Sequence, residues 1–196
     1  VSGKYALSMS GSTARVQECL IAARTYLELG DWNAVRKSIV EDNLFQLNAP
    51  SSRKRVASEI VKRLRTLTDD EAEFLASAVG DDRHAMIWVS ICRTYQFVRD
   101  FSQQVLAERY DHSMPTLPRA AYDVFFEEQE AIHPELARMT KLGRDKMRTV
   151  VFKMLRECRL LDDEGTITPL HPTSAFAAAL GDKGVEDLAS FPGAIA

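Results

Sequence analysis

The stretch Glu135-Leu136-Ala137-Arg138-Met139-Thr140-Lys141-Leu142-Gly143, the residues 144–159 after it, and the closing Leu160-Leu161-Asp162-Asp163-Glu164-Gly165-Thr166-Ile167-Thr168 decide how the chain is read. His133-Pro134 opens a short helical segment over 135–139, residues 140–143 with Gly143 form a turn, and 144–159 read as a long helix. At ~100° per residue, Met147, Val150, Val151, Met154 and Cys158 fall on one stripe and are expected to be buried. Asp145, Thr149, Phe152 and Arg156 project to the opposite side, flanked by Lys146, Arg148 and Lys153. An apolar piece, an acidic turn ending in Gly165 and a β-branched piece then read as a small hairpin. Short helix, turn, long basic helix and hairpin make the layout of a winged helix-turn-helix. In that motif one helix pins the next across a shared core and leaves its outer face free for a major groove. Lys141, Arg144, Lys146, Arg148, Thr149 and Lys153 are therefore expected to face DNA, and Phe152 is the one aromatic expected to be free to stack on a base. Asp162, Asp163 and Glu164 at the hairpin tip argue against a wing inserted among phosphates. Winged helices also serve as protein-docking modules.

Upstream, the pattern stays helical. Residues 111–115, polar and ending in Pro115, read as a linker, and Thr116 with Pro118 start a helix through 132. Before the linker, Ser12 caps a helix to Leu29 stopped by Gly30, with Val16, Cys19, Leu20, Ala23 and Leu27 at helical spacing. Asp31 caps a second helix to about 44 (Trp32, Val35, Ile39, Val40). Ser51 or Ser52 starts a third over 51–67, with Val56, Ile60, Leu64 and Leu67 as its apolar stripe. Thr68-Asp69-Asp70-Glu71 opens a short fourth, with acids where the helix dipole favours them, and Gly80 ends it. Residues 82–110, rich in Ile87, Trp88, Ile91, Tyr95, Phe97, Val98, Phe101 and Val105, are too apolar for a solvent helix and read as the central helix or helix pair. The expected fold is all-α: an N-terminal helical bundle over 1–111, a winged-helix-like part over 112–169, and a tail over 170–196 that carries little signal.

The formal net charge of −3 hides a strong asymmetry. Within 51–67, Arg53, Lys54, Arg55, Lys62, Arg63 and Arg65 face only Glu59; within 138–159, eight cations face Asp145 and Glu157. Two basic segments in an otherwise acidic chain can hold a polyanion despite the overall charge. Helical projection places Lys54, Arg55, Ser58, Lys62 and Arg65 outward as one stripe, and Ser51-Ser52-Arg53 at the helix start offers backbone N–H groups to a phosphate. A merely solvated helix tends to alternate signs.

Other chemistries find little support. Three separated cysteines (Cys19, Cys92, Cys158) on apolar helical patterns read as core residues of a reducing cytoplasm. Residues 1–5 lack a secretory pattern, and the apolar run 85–92 is far below the ~20 residues of a membrane span. His84, His112, His133 and His171 are scattered, so no metal site is expected, and no P-loop occurs. Asp123, Glu127, Glu128 and Glu130 read as an acidic solvent face before a nuclease metal site, because such sites draw carboxylates from several elements. Asp162-Asp163-Glu164-Gly165 lacks the remaining ligands of a calcium loop.

Several of these segments, in this order, resemble the BrxA family of bacteriophage exclusion (BREX) defence systems. They are Ile39-Val40-Glu41-Asp42-Asn43-Leu44, Ser51-Ser52-x-Lys54-Arg55, Arg63-Leu64-Arg65-x-Leu67, Arg99-Asp100-Phe101, and Leu160-Leu161 with Ile167-x-Pro169. The resemblance spans residues 4–169. It implies a cytoplasmic DNA-binding component without enzymatic activity or cofactor, with an N-terminal bundle likened to the antitermination factor NusB and a winged-helix-like C-terminal part. It also implies work beside a methyltransferase, ATPases and an alkaline-phosphatase-like protein. The expected partner is double-stranded DNA, held mainly by phosphates with weak sequence preference, through Arg53, Lys54, Arg55, Lys62 and Arg65 together with the set on 141–153. An assembly adaptor that docks acidic partner proteins, and an RNA-binding protein, are the alternatives.

Overall fold

The computed structural model describes residues 5–9, 13–181 and 184–193. Its helices are α1 (Val16–Leu29), α2 (Trp32–Glu41), α3 (Pro50–Leu64), α4 (Asp69–Ser77), α5 (Gly80–Thr94), α6 (Gln96–Phe101), a π-helical turn (Ser102–Ala107), α7 (Glu108–Asp111), α8 (Arg119–Glu130), α9 (Pro134–Ala137), α10 (Lys141–Glu157), α11 (Ser174–Leu180) and α12 (Val185–Leu188). The chain is all-α. In place of a hairpin with strands, the described residues carry only isolated antiparallel bridges, Leu161 with Ile167 and Thr116 with Thr166. No helix among them is long and apolar enough to cross a membrane.

Local chemistry sets the helix ends, not always as projected. Asp31 caps α2 by accepting the Ala34 N–H, and α2 stops at Glu41, short of 44. Thr68 and Glu71 form a reciprocal capping box at α4. Replacing Thr68 by alanine is expected to lower unfolding stability by about 0.5–2 kcal/mol in urea titration. The third helix starts at Pro50 instead of a serine cap: proline has no N–H to leave unsatisfied, and its fixed φ suits the first helical position. Gly80 does not end α4. That helix stops at Ser77, and Gly80, at φ 55°, opens α5. Gly143 lies in the first turn of α10, where its N–H meets the Thr140 hydroxyl at 3.1 Å, so the turn falls earlier and Thr140 is the cap. The predicted Ser12 cap lies outside the described residues; α1 begins after Arg15, which has a left-handed backbone (φ 56°) and no side-chain cap.

The 82–110 stretch is the interior, broken twice. Extended Tyr95 separates α5 from α6, and the π-helical turn follows. Ile87, Trp88, Ile91, Tyr95, Phe97, Val98 and Phe101 are all fully buried. Phe97 packs edge-on against Tyr5, Tyr122 and Phe125, and Phe101 does so against Tyr122 and Phe125, which joins α6 to α8. Both projected stripes are buried as expected: Val56, Ile60, Leu64 and Leu67 on one helix side, Met147, Val150, Val151, Met154 and Cys158 on the other. The three cysteines are buried and unpaired, and burial pushes the Cys19 and Cys92 thiols up to about 12.

The described residues after 169 are built into the structure. Asp81 and Asp82, in the first turn of α5, accept the backbone N–H groups of His171 and Thr173, and Phe176 and Phe191 enter the core. The Trp88 indole N–H donates to the Ser190 carbonyl. Arg93 clamps two buried carboxylates at once, Glu71 (2.6 Å) and Asp187 (2.8 Å).

Candidate nucleic-acid interface

On α3 the predicted stripe is exposed: Lys54, Arg55, Ser58, Lys62 and Arg65 all reach solvent. The helix's single acid, Glu59, turns inward, 4% exposed, so it does not dilute that face. There it accepts a hydrogen bond from the Tyr95 hydroxyl and lies 3.5 Å from the Arg63 guanidinium. Arg63 belongs to the interior, fully buried, and donates to the carbonyls of Thr13 (3.0 Å) and Ala14 (3.5 Å). Lys62, an exposed residue, donates to the Tyr95 hydroxyl at 3.3 Å with its ammonium 4.5 Å from the ring centroid, which fixes the position of its charge. Arg65 donates to the Asn33 side-chain amide. Arg53 is half-buried and donates to the Leu47 carbonyl at 2.7 Å, so it steadies the loop before the helix.

The cations of α10 divide into two sets. Lys141 and Lys146 are exposed, and Lys153 is 61% exposed with Glu157 3.8 Å away. Arg144 pairs in two-pronged fashion with Glu130 of α8 and lies 4.9 Å from the Phe126 ring centroid. Arg148 is held by Asp123 of α8 and by Asp145 (2.9 Å), and the Asp123 carboxylate, ahead of Asp145, raises its guanidinium above the usual range. Thr149 is exposed, with its hydroxyl donating to the Asp145 carbonyl at 2.8 Å. Phe152 is not outward: it is 5% exposed and packs against Tyr122 of α8, so it is no stacking platform. Exposed ion pairs contribute up to about 1 kcal/mol each, and charges offset within the free protein add little long-range field. Replacing Arg144 and Arg148 together by glutamine is therefore expected to cost roughly 1–2 kcal/mol of stability in chemical unfolding. The same change should reduce duplex affinity less than about threefold in a gel shift.

The N-terminal segment brings the two basic helices to one place. Its anchor is Tyr5, 3% exposed, whose N–H meets Glu135 at 2.6 Å and whose hydroxyl donates to Asp100 (2.7 Å) with the Gln129 side-chain amide 2.9 Å away, while its ring stacks on His133. Leu7, Ser8 and Met9 then line a cavity with Gly143, Lys146 and Val150 of α10. The Ser8 carbonyl lies 3.5 Å from the same Tyr95 hydroxyl that Lys62 reaches. Further along, the Arg15 N–H donates to Glu157 at the other end of α10. Lys62 and Lys146 thus both adjoin residues 7–9. Nothing in the pattern of 1–12 singles out Tyr5, because a lone tyrosine in an irregular segment has no periodicity to read.

Comparison with known proteins follows this architecture. The profile of the BrxA family matches residues 3–184. Three relatives carry the name BREX protein BrxA. One from Bacillus cereus (strain H3081.97) is 24% identical over 66% of this chain and 65% of its own length, just under two thirds. One from Escherichia coli O9:H4 (strain HS) is 26% identical over 78% and 71% of the two chains. One from Paramagnetospirillum magneticum (strain ATCC 700264 / AMB-1) is 21% identical over 83% and 82%. In fold, the chain is similar to the crystal structure of an uncharacterized protein from Magnetospirillum magneticum, with TM-score 0.80, 17% identity and 96% of each chain covered.

Proposed function

The chain belongs to the BrxA family, and we propose that it is a non-enzymatic, double-stranded DNA-binding component of a BREX anti-phage system in the bacterial cytoplasm. The observation that carries the DNA reading is the exposed face of α3. Lys54, Lys62 and Arg65 reach solvent there with no salt bridge among the described residues, beside exposed Arg55 and Ser58, while the only acid of the helix is buried. Lys141, Lys146 and Lys153 extend the set from α10, and the relatives' printed name supports the assignment to BREX. The division into a NusB-like bundle over 1–111 and a winged-helix-like part over 112–169, and work beside the other proteins of the system, belong to the same proposal.

Lysine and arginine contacts to phosphates release counterions, so affinity falls with salt. A track of about seven cations implies a slope of log affinity against log salt of roughly −6. A gel shift over a salt series on unrelated duplexes tests this: comparable, steeply salt-sensitive affinities are expected, and an affinity unchanged between low and physiological salt overturns it. Competition with structured RNA should leave the duplex complex intact; displacement at equal nucleotide concentration would assign the surface to RNA. The exposure of Ile132 (64%) and Leu142 (79%) on either side of α9 favours a second role in docking a partner protein. Capture of a BREX partner by protein that has no affinity for duplex would make that role the primary one.

A further inference from the structure

We propose that one phosphate group of the bound duplex seats in a cleft of about 640 Å³ where the start of α1, the first turn of α5 and the end of α10 meet. The inference rests on the DNA reading above and extends it to residues outside the predicted set. Arg15, Arg83, Lys153, Arg156 and Arg159 line the cleft, against two carboxylates, Glu18 and Glu157. Both acids are already engaged: Glu18 pairs with Arg15 at 2.7 Å, and Glu157 accepts the Arg15 N–H and lies 3.8 Å from Lys153. Arg83 and Arg159 have no carboxylate within ion-pair distance among the described residues, and the Arg83 Nε is buried without a hydrogen-bond partner. Arg156 donates to the Asp162 carbonyl at 3.4 Å, and its nearest carboxylate is Asp163, at 4.0 Å, whose side chain is 98% exposed.

A concave site with positive charge in excess calls for an oxyanion, since arginine forks match phosphate oxygens. α1 adds its own share. Val16, Gln17 and Glu18 of its first turn line the same cleft, and the helix has no side-chain cap, which suits an anion near this end. His84 in the wall sits 2.8 Å from the Gly80 carbonyl through Nδ1, and burial first, then Arg159 and Arg83, lower its basicity. Lys153 belongs both to this cleft and to the α10 set, two helical turns beyond Lys146, which makes the cleft a continuation of the track.

The test pairs the wild-type side chains with a double variant. Arginine side-chain NMR resonances are followed while inorganic pyrophosphate, and separately a 20-base-pair duplex, is added; duplex binding by the Arg83→Gln/Arg159→Gln protein is measured by gel shift, with a melting curve to establish folding. The proposal expects both ligands to move the Arg83 and Arg159 signals. The variant, folded, should bind duplex about tenfold more weakly with a salt slope shallower by about two. The response to pyrophosphate should persist when Lys54 and Lys62 are replaced. Signals unmoved by either ligand, or a folded variant that binds duplex within about twofold of the wild type, overturn the proposal and leave the DNA reading in place. A wild-type protein that ignores duplex yet answers pyrophosphate at both arginines refutes the DNA reading, while the phosphate seat stands with a free phosphate compound as its ligand.

Discussion

Reversing Lys54 and Lys62 together to glutamate is expected to weaken duplex binding on the order of 100-fold at low salt, about 1.4 kcal/mol for each charge reversed. The salt slope should become shallower by about two. Both side chains are exposed, neither makes a salt bridge among the described residues, and the inward turn of Glu59 leaves their face of α3 without an acid from the helix. Lys62 is steadied by the Tyr95 hydroxyl and ring, so its charge is presented at lower entropic cost than that of a free lysine. Lys54 makes no such contact, so its reversal alone should change unfolding stability by less than about 0.5 kcal/mol, whereas reversing Lys62 also gives up its contact with the Tyr95 ring, at a cost of roughly 0.5–1 kcal/mol. Equal loss on every duplex tested marks phosphate contacts; loss confined to one sequence would instead assign these lysines to base edges.

Arg63 separates fold from site on the same helix. Replacing it by alanine is expected to cost about 3–5 kcal/mol, because Glu59 would be left as a buried, uncompensated charge. The Thr13 and Ala14 carbonyls would lose their donor as well. For a chain of this size that corresponds to a fall in Tm of roughly 10 °C. A double change, Glu59→Gln with Arg63→Met, removes both charges and should recover much of the loss, since a buried pair is often replaceable by neutral groups of similar volume. The glutamine can still accept from the Tyr95 hydroxyl. Duplex affinity of the folded Arg63→Ala protein should match the wild type. A tenfold loss of affinity in folded protein would place Arg63 in the interface.

What was legible in the chain is what periodicity governs. The α3 and α10 stripes lie where a 100° projection puts them, and Asp31 and Thr68 cap as their side chains dictate. Periodicity says which residues share a face, not whether a second element covers the opposite one, and Phe152 shows the difference: Tyr122 of α8 buries it from the far side. The charges of Arg144 and Arg148 illustrate the same limit. Their local segment holds little acid, but Glu130 and Asp123, read as a solvated face, arrive from α8 and pair with them. Gly80 and Gly143 fall near helix boundaries without terminating the helices before them, because a glycine fits either side of a break. Arg15, Arg83 and Arg159 lie in three separate segments, so no local count brings them together, and only folding makes them one cleft. The residues after 169 have short, Ala-rich pieces with weak amphipathicity; their place is set by Asp81, Asp82, Arg93 and Trp88, all distant in sequence.

Lysine footprinting tests the common phosphate track most directly. Acetylation rates are measured by mass spectrometry with and without a saturating 20-base-pair duplex at low salt. The track predicts that Lys54 and Lys62 on one helix and Lys146 and Lys153 on the other are protected together, and that 0.5 M salt abolishes the protection at all four. Lys54 and Lys62 acetylated at the same rate in the bound and free protein would contradict it.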